Sequence, residues 1–175
     1  MSYATSGRLG VDFTKTYTDG LFPFSLGAQE VDNNGVVYRF CRATAAKTAG
    51  IVYILDDSFT VGGGITSTLA SAAPVALCVP QTTTVAPDSG QTYAYAWYAT
   101  HGPLSVFDGR GGTTSADVEL YTTATAGIID SYVTGVTAMK RIDDLKWTAT
   151  PTSSALSAAF ASRAISIPTD LGTQG

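Results

Sequence analysis

Large apolar residues alternate with small or polar ones along much of this chain, and a period of two predicts β-strands. The clearest run is Tyr93-Ala94-Tyr95-Ala96-Trp97-Tyr98-Ala99, which puts Tyr93, Tyr95 and Trp97 on one face and Ala94 and Ala96 on the other. The alanine face would let a neighbour approach closely. Leu104 and Val106 continue the pattern to Phe107, after a turn expected at His101-Gly102-Pro103. Val36, Tyr38 and Phe40 share a face, with Arg39 on the other. Val118 and Leu120 point in where Asp117 and Glu119 point out. Ile129 shares a face with Ser131 and Val133. Leu145–Ala149 predicts a further strand with Trp147 inward beside Leu145. The unbroken runs Ile51–Leu55 and Val75–Val79 predict strands covered on both sides. Tyr38, Phe40, Tyr93, Tyr95, Trp97 and Trp147 are the expected core aromatics.

Turn chemistry separates these runs. Asp32-Asn33-Asn34-Gly35 carries the Asn-Gly pair that favours positive φ. Ala49-Gly50, Asp56-Asp57-Ser58, Asp108–Gly112 and Thr125-Ala126-Gly127 punctuate the rest, and Gly62-Gly63-Gly64 reads as a flexible hairpin tip. Residues 153–164 are alanine-rich and fit either a short helix or a strand; Ile165-Ser166-Ile167 reads as a final strand. No internal repeat of fixed length stands out. The expectation is an all-β barrel or sandwich of short antiparallel strands spanning residues 27–168. A flexible tail, 169–175, would follow it. Residues 1–26 carry Tyr3, Leu9, Phe13, Tyr17, Phe22 and Phe24 without a strong period, broken by Gly7, Gly10, Gly20 and Pro23. They predict an extended N-terminal arm, lying on its own domain or on a neighbour, and these six residues are candidates for an interface.

Composition narrows the function. At 175 residues and 45% apolar content the chain can form one domain with arms, or two small domains, around a hydrophobic core. Charged residues make up only 14%, against about 25% in an average chain. The net charge of −4 and the lack of a basic block argue against nucleic-acid binding. No apolar stretch is long enough to span a bilayer, and the first ten residues lack the apolar centre of a secretory signal, so a cytoplasmic product is expected. Cys41 and Cys78 then read as buried thiols, with a disulfide as the alternative.

Candidate chemistry is sparse. The one histidine, His101, has no Gly-x-Ser-x-Gly elbow to serve and reads as a surface or interface residue. Gly62-Gly63-Gly64 lacks the lysine of a phosphate-binding loop. Asp56-Asp57 and Asp143-Asp144 lie in no calcium-loop pattern, and two cysteines with one histidine fall short of a zinc site. No cofactor is expected. The stripe Tyr93, Tyr95, Trp97 is either core or a sugar-stacking platform.

The segments Gly35–Ala43 and Ala49–Ile54 resemble the opening hairpin of the head decoration (cement) proteins of tailed phages, in which a Gly-x-x-Tyr-x-x-x-x-Ala strand precedes an Ala-Gly-x-x-Val strand. Val75–Val79 and Gln91–Trp97, running on to Gly102-Pro103-Leu104, are similar to the next pair of that family, and Ala116–Ile129 to the segment after it. The likeness covers roughly residues 21–167. It departs at Gly62–Ala73, at Thr82–Gly90 and in the N-terminal arm. The resemblance implies a structural protein without enzymatic activity. It would be made in the host cytoplasm and carried on the outer surface of the virion. Its partners would be the major capsid protein and its own copies, as a homo-trimer or homo-dimer. The other reading is a tail, fibre or carbohydrate-binding β module.

Overall fold

Ten strands account for the regular structure of the described residues, which are 11–68, 75–109, 116, 118–131, 140–151 and 156–167 of a computed structural model; none of these residues is helical. The strands are β1 (Gln29–Val31), β2 (Val37–Ala43), β3 (Tyr53–Leu55), β4 (Thr60–Gly64), β5 (Val75–Cys78), β6 (Ala94–Phe107), β7 (Glu119–Thr122), β8 (Ile129–Ser131), β9 (Arg141–Trp147) and β10 (Leu156–Ile167). Six of them close a barrel in the order β2-β4-β3-β5-β10-β6 and back to β2. All these pairings are antiparallel except β2–β4, so the barrel is mixed. β1 extends the sheet beyond β2, and β9, β7 and β8 extend it beyond β10.

Two local expectations change, and one left open is resolved. His101-Gly102-Pro103 is not a turn. β6 runs straight through it for 14 residues, pairing with β2 up to His101 and with β10 from Gly102 onward. Gly102 makes the change of partner possible: its φ is +99°, and an added Cβ would lie 2.5 Å from the Gly35 carbonyl oxygen. Gly62-Gly63-Gly64 is not a hairpin tip but the end of strand β4. A side chain on Gly64 would come within 2.8 Å of the Gly127 backbone, so glycine is required there by close approach. The alanine-rich segment is a strand from Leu156.

The Asp32–Gly35 turn forms as read. The Asp32 carboxylate accepts from the N–H groups of Asn34 (2.9 Å) and Val36 (2.8 Å), and Gly35 has φ +84°. It joins β1 to β2 with Glu30 opposite Tyr38.

Two buried clusters hold the structure. Cys41, Ala43, Tyr53, Leu55, Val61, Cys78, Ala96 and Tyr98 come from five of the six barrel strands and fill its lumen. Phe40 and Trp97, paired across β2 and β6, point the other way, into the larger cluster. That cluster also takes Leu104, Ala159 and Trp147 from neighbouring positions on β6, β10 and β9, together with Leu120 and Ile129.

The described part of the N-terminal segment is built onto the barrel wall. Tyr17 exchanges two 2.8 Å backbone hydrogen bonds with Tyr95. Phe13 stacks on Tyr38 at 4.4 Å between ring centroids and meets Trp97 edge-on. Phe22 stacks on Tyr95 at 4.0 Å, and Phe24 meets Phe40 and Trp97.

Candidate interaction surface

The barrel lumen holds the most unusual side chains. Lys47 is buried; its ammonium donates to the Gly62 carbonyl (2.6 Å) and lies 4.9 Å from the centre of the Tyr53 ring. Its backbone N–H donates to Thr84 Oγ1 and its carbonyl accepts from the Thr84 N–H, which fixes the 81–91 loop to the barrel. Burial pulls the Lys47 ammonium below its usual range. Cys41 and Cys78 are free thiols with 0% exposure. Burial pushes Cys41 up to about 12 and Cys78 well above its ordinary value, so neither forms a thiolate at neutral pH.

The expected interface residues fall into two groups. Tyr3 and Leu9 lie outside the described residues. Phe13, Tyr17, Phe22 and Phe24 are turned onto the chain's own rings, and Phe13 is only 7% exposed. Phe13 is thereby buried, while Tyr17, Phe22 and Phe24 stay partly exposed over the wall of β2 and β6, where they cover Tyr38, Phe40, Tyr95 and Trp97.

Of the expected core aromatics, Tyr38, Phe40, Trp97 and Trp147 are buried, and Tyr95 is partly buried beneath Phe22. Tyr93 is not core. It precedes the first residue of β6 and is partly exposed, with the Arg42 guanidinium 4.5 Å from its ring centre. The alanine face of β6 is not open to a partner either. Ala94 and Ala96 are buried, and Ala96 lines the lumen beside Cys41.

The surface with interaction chemistry lies on β10. Leu156 is 50% and Phe160 47% exposed, and Ala158 between them is exposed too. On β6, Phe107 stands opposite Leu156 and Pro103 opposite Phe160. On β9, Lys146 stands on the other side of Phe160, and it is itself opposite Glu119 of β7. An apolar strip thus runs along β6 and β10, bordered by charge. Arg141 on that border reaches Asp143 at 2.9 Å and Glu119 at 3.5 Å. The polarity of β10 is inverted: small Ala159 and Ala161 face inward and large Leu156 and Phe160 outward. Trp147 explains the inward half, because it lies opposite Ala159 and occupies the space a larger residue would need. Reading 153–164 as a strand would have exposed this signal in the sequence.

Among the described residues no three His, Cys, Asp or Glu side chains are grouped to hold a metal, and no helix could cross a membrane. Asp56 is engaged in its own turn, accepting from Ser58 and Thr60. Comparison with protein-family models, with curated proteins and with solved structures returns no match.

Proposed function

We propose that this chain is a capsid decoration protein of the tailed-phage kind. It binds the outside of the assembled major capsid lattice, associates with its own copies as a trimer or dimer, and performs no catalysis. The observation that carries this reading is the exposed strip of Leu156, Phe160 and Pro103 on strands locked into a closed barrel. A rigid scaffold loses little entropy on docking, so more of the contact energy remains as affinity. Burying one Leu or Phe side chain contributes about 1.5–3 kcal/mol. Such a modest contact suffices on a lattice, where it is repeated and copies that touch one another gain effective concentration. The family-like turns and aromatics of residues 35–54 and 75–104 support the same assignment.

A sugar-binding module finds less support. Its platform was the Tyr93, Tyr95, Trp97 stripe, and Trp97 is 2% exposed beneath Phe13 and Phe24.

The test is sedimentation of purified protein with undecorated phage heads. Co-sedimentation with expanded shells, reduced at least tenfold by Phe160→Asp with unchanged thermal unfolding, is the expected result. Failure of the wild-type chain to sediment with any shell would remove the proposal.

A further inference from the structure

The second surface with unused binding capacity surrounds Arg39. This side chain is half-buried on β2, and its guanidinium lies over the ring of Phe59, 5.6 Å from the centroid. Among the described residues the guanidinium makes no ion pair and no hydrogen bond. Arg42, three residues on, donates to Thr60 Oγ1 at 2.9 Å, and Arg141 is ion-paired. A cation–π contact of this kind uses none of the guanidinium's N–H donors, which stay free for hydrogen bonding. Such a fork matches a carboxylate with two parallel hydrogen bonds.

The support under Arg39 is costly. Phe59 has φ +58°, a left-handed conformation that bulky residues avoid. It is held there by backbone bonds on both sides, from its own N–H to Asp56 O (3.0 Å) and from Arg42 N–H to its carbonyl (3.0 Å). Its ring lies so close to Gly27 that a Cβ there would overlap it. The ring thus gives the guanidinium a fixed platform.

Glu30 of β1 stands opposite Tyr38, on the alternate face of its strand from Gln29 and Val31. His101 stands beside this site, paired across the sheet with Val37, and Arg39 is close enough to disfavour its protonation. Gln29 and Val31 of β1, opposite Arg39 and Val37, carry no charge, and Val31 is 45% exposed. The Asp56 carboxylate, in the turn that precedes Phe59, is engaged by Ser58 and Thr60.

We propose that Arg39, set on Phe59 and flanked by His101 and Val31, is a docking point for a carboxylate in an acidic segment of a partner protein. The site lies on β1, β2 and β6 and does not depend on the decoration reading. Its partner is recognised by charge and by one bidentate contact, with Val31 supplying an apolar neighbour.

The experiment is an NMR titration of the full chain with the peptide acetyl-Glu-Glu-Glu-amide, reading the Arg39 Nε–Hε and His101 Hε1 signals. Saturable shifts are expected with this peptide, and none with acetyl-Gln-Gln-Gln-amide or with sodium chloride of equal ionic strength. Arg39→Gln should weaken binding at least tenfold. Arg39→Lys, which keeps the charge and loses the fork, should fall between. Arg163→Gln, an exposed arginine on β10, should bind as the wild type does. Retained spectral dispersion would show that each variant is folded. Non-saturable shifts, equal binding by Arg39→Gln, or equal losses in Arg39→Gln and Arg163→Gln would overturn the proposal. So would sodium acetate binding as tightly as the peptide, which would assign the site to small free carboxylates.

Discussion

At the scale of single residues, the two tryptophans show how shape outweighs polarity here. Trp97 and Trp147 are buried, and neither indole N–H finds an acceptor among the described residues. An unsatisfied buried donor costs about 1–3 kcal/mol. Trp97 is retained because its rings fill the space between Phe13, Phe24 and Phe40. Trp97→Ala should therefore lose about 3–5 kcal/mol of stability in denaturant unfolding. Trp97→Phe should lose much less, since it keeps most of the ring contact and removes the orphaned donor. Equal losses for the two would show that the N–H, not the volume, matters. The burial of Trp97 and Phe40 was legible in the alternation of their strands. The packing of Phe13 and of the partly buried Phe24 was not, because aromatics in a segment without a period carry no signal of which surface they cover.

At the scale of elements, β6 departs most from its sequence pattern. His-Gly-Pro has the composition of a turn, and local propensity predicts one. The structure runs the strand straight through the same glycine, because one strand must serve two neighbours, β2 and then β10; the extra residue of the register shift against β2 is Thr100, between Ala99 and His101. Gly102→Ala should cost roughly 2 kcal/mol or more, since it combines a positive φ with an approach to Gly35. Gly35→Ala meets only the conformational part, having open space around its Cβ, and should cost less. Thermal unfolding of the two variants side by side checks the order. The same blindness to tertiary demand hid Gly62–Gly64 inside β4 and made Leu156 and Phe160 hard to place. Strand existence was written in the period; strand partners were not, because register depends on residues far away in the chain.

At the scale of the whole molecule, few charges titrate with consequence. His101 is held below its ordinary value of 6.5, first by burial and then by Arg39. The unfolded chain therefore takes up that proton first as pH falls. Stability should be level above about pH 6.5 and decline as pH drops through the window beneath it. Asp12 and Asp56 are held below 3.8 and should add a second decline as pH falls from about that value through their lowered ones. Unfolding midpoints across pH should show both steps in the wild type and only the acid step in His101→Gln; an unchanged upper step in the variant would reassign it. The ring of six strands has one further consequence, for synthesis. β10 lies between β5 and β6, yet it is made after every other barrel strand. A nascent chain that has not reached Leu156 has a seam it cannot zip, with two bare edges offered to any neighbouring polypeptide. Stalled or truncated translation products of this chain should be its most aggregation-prone species.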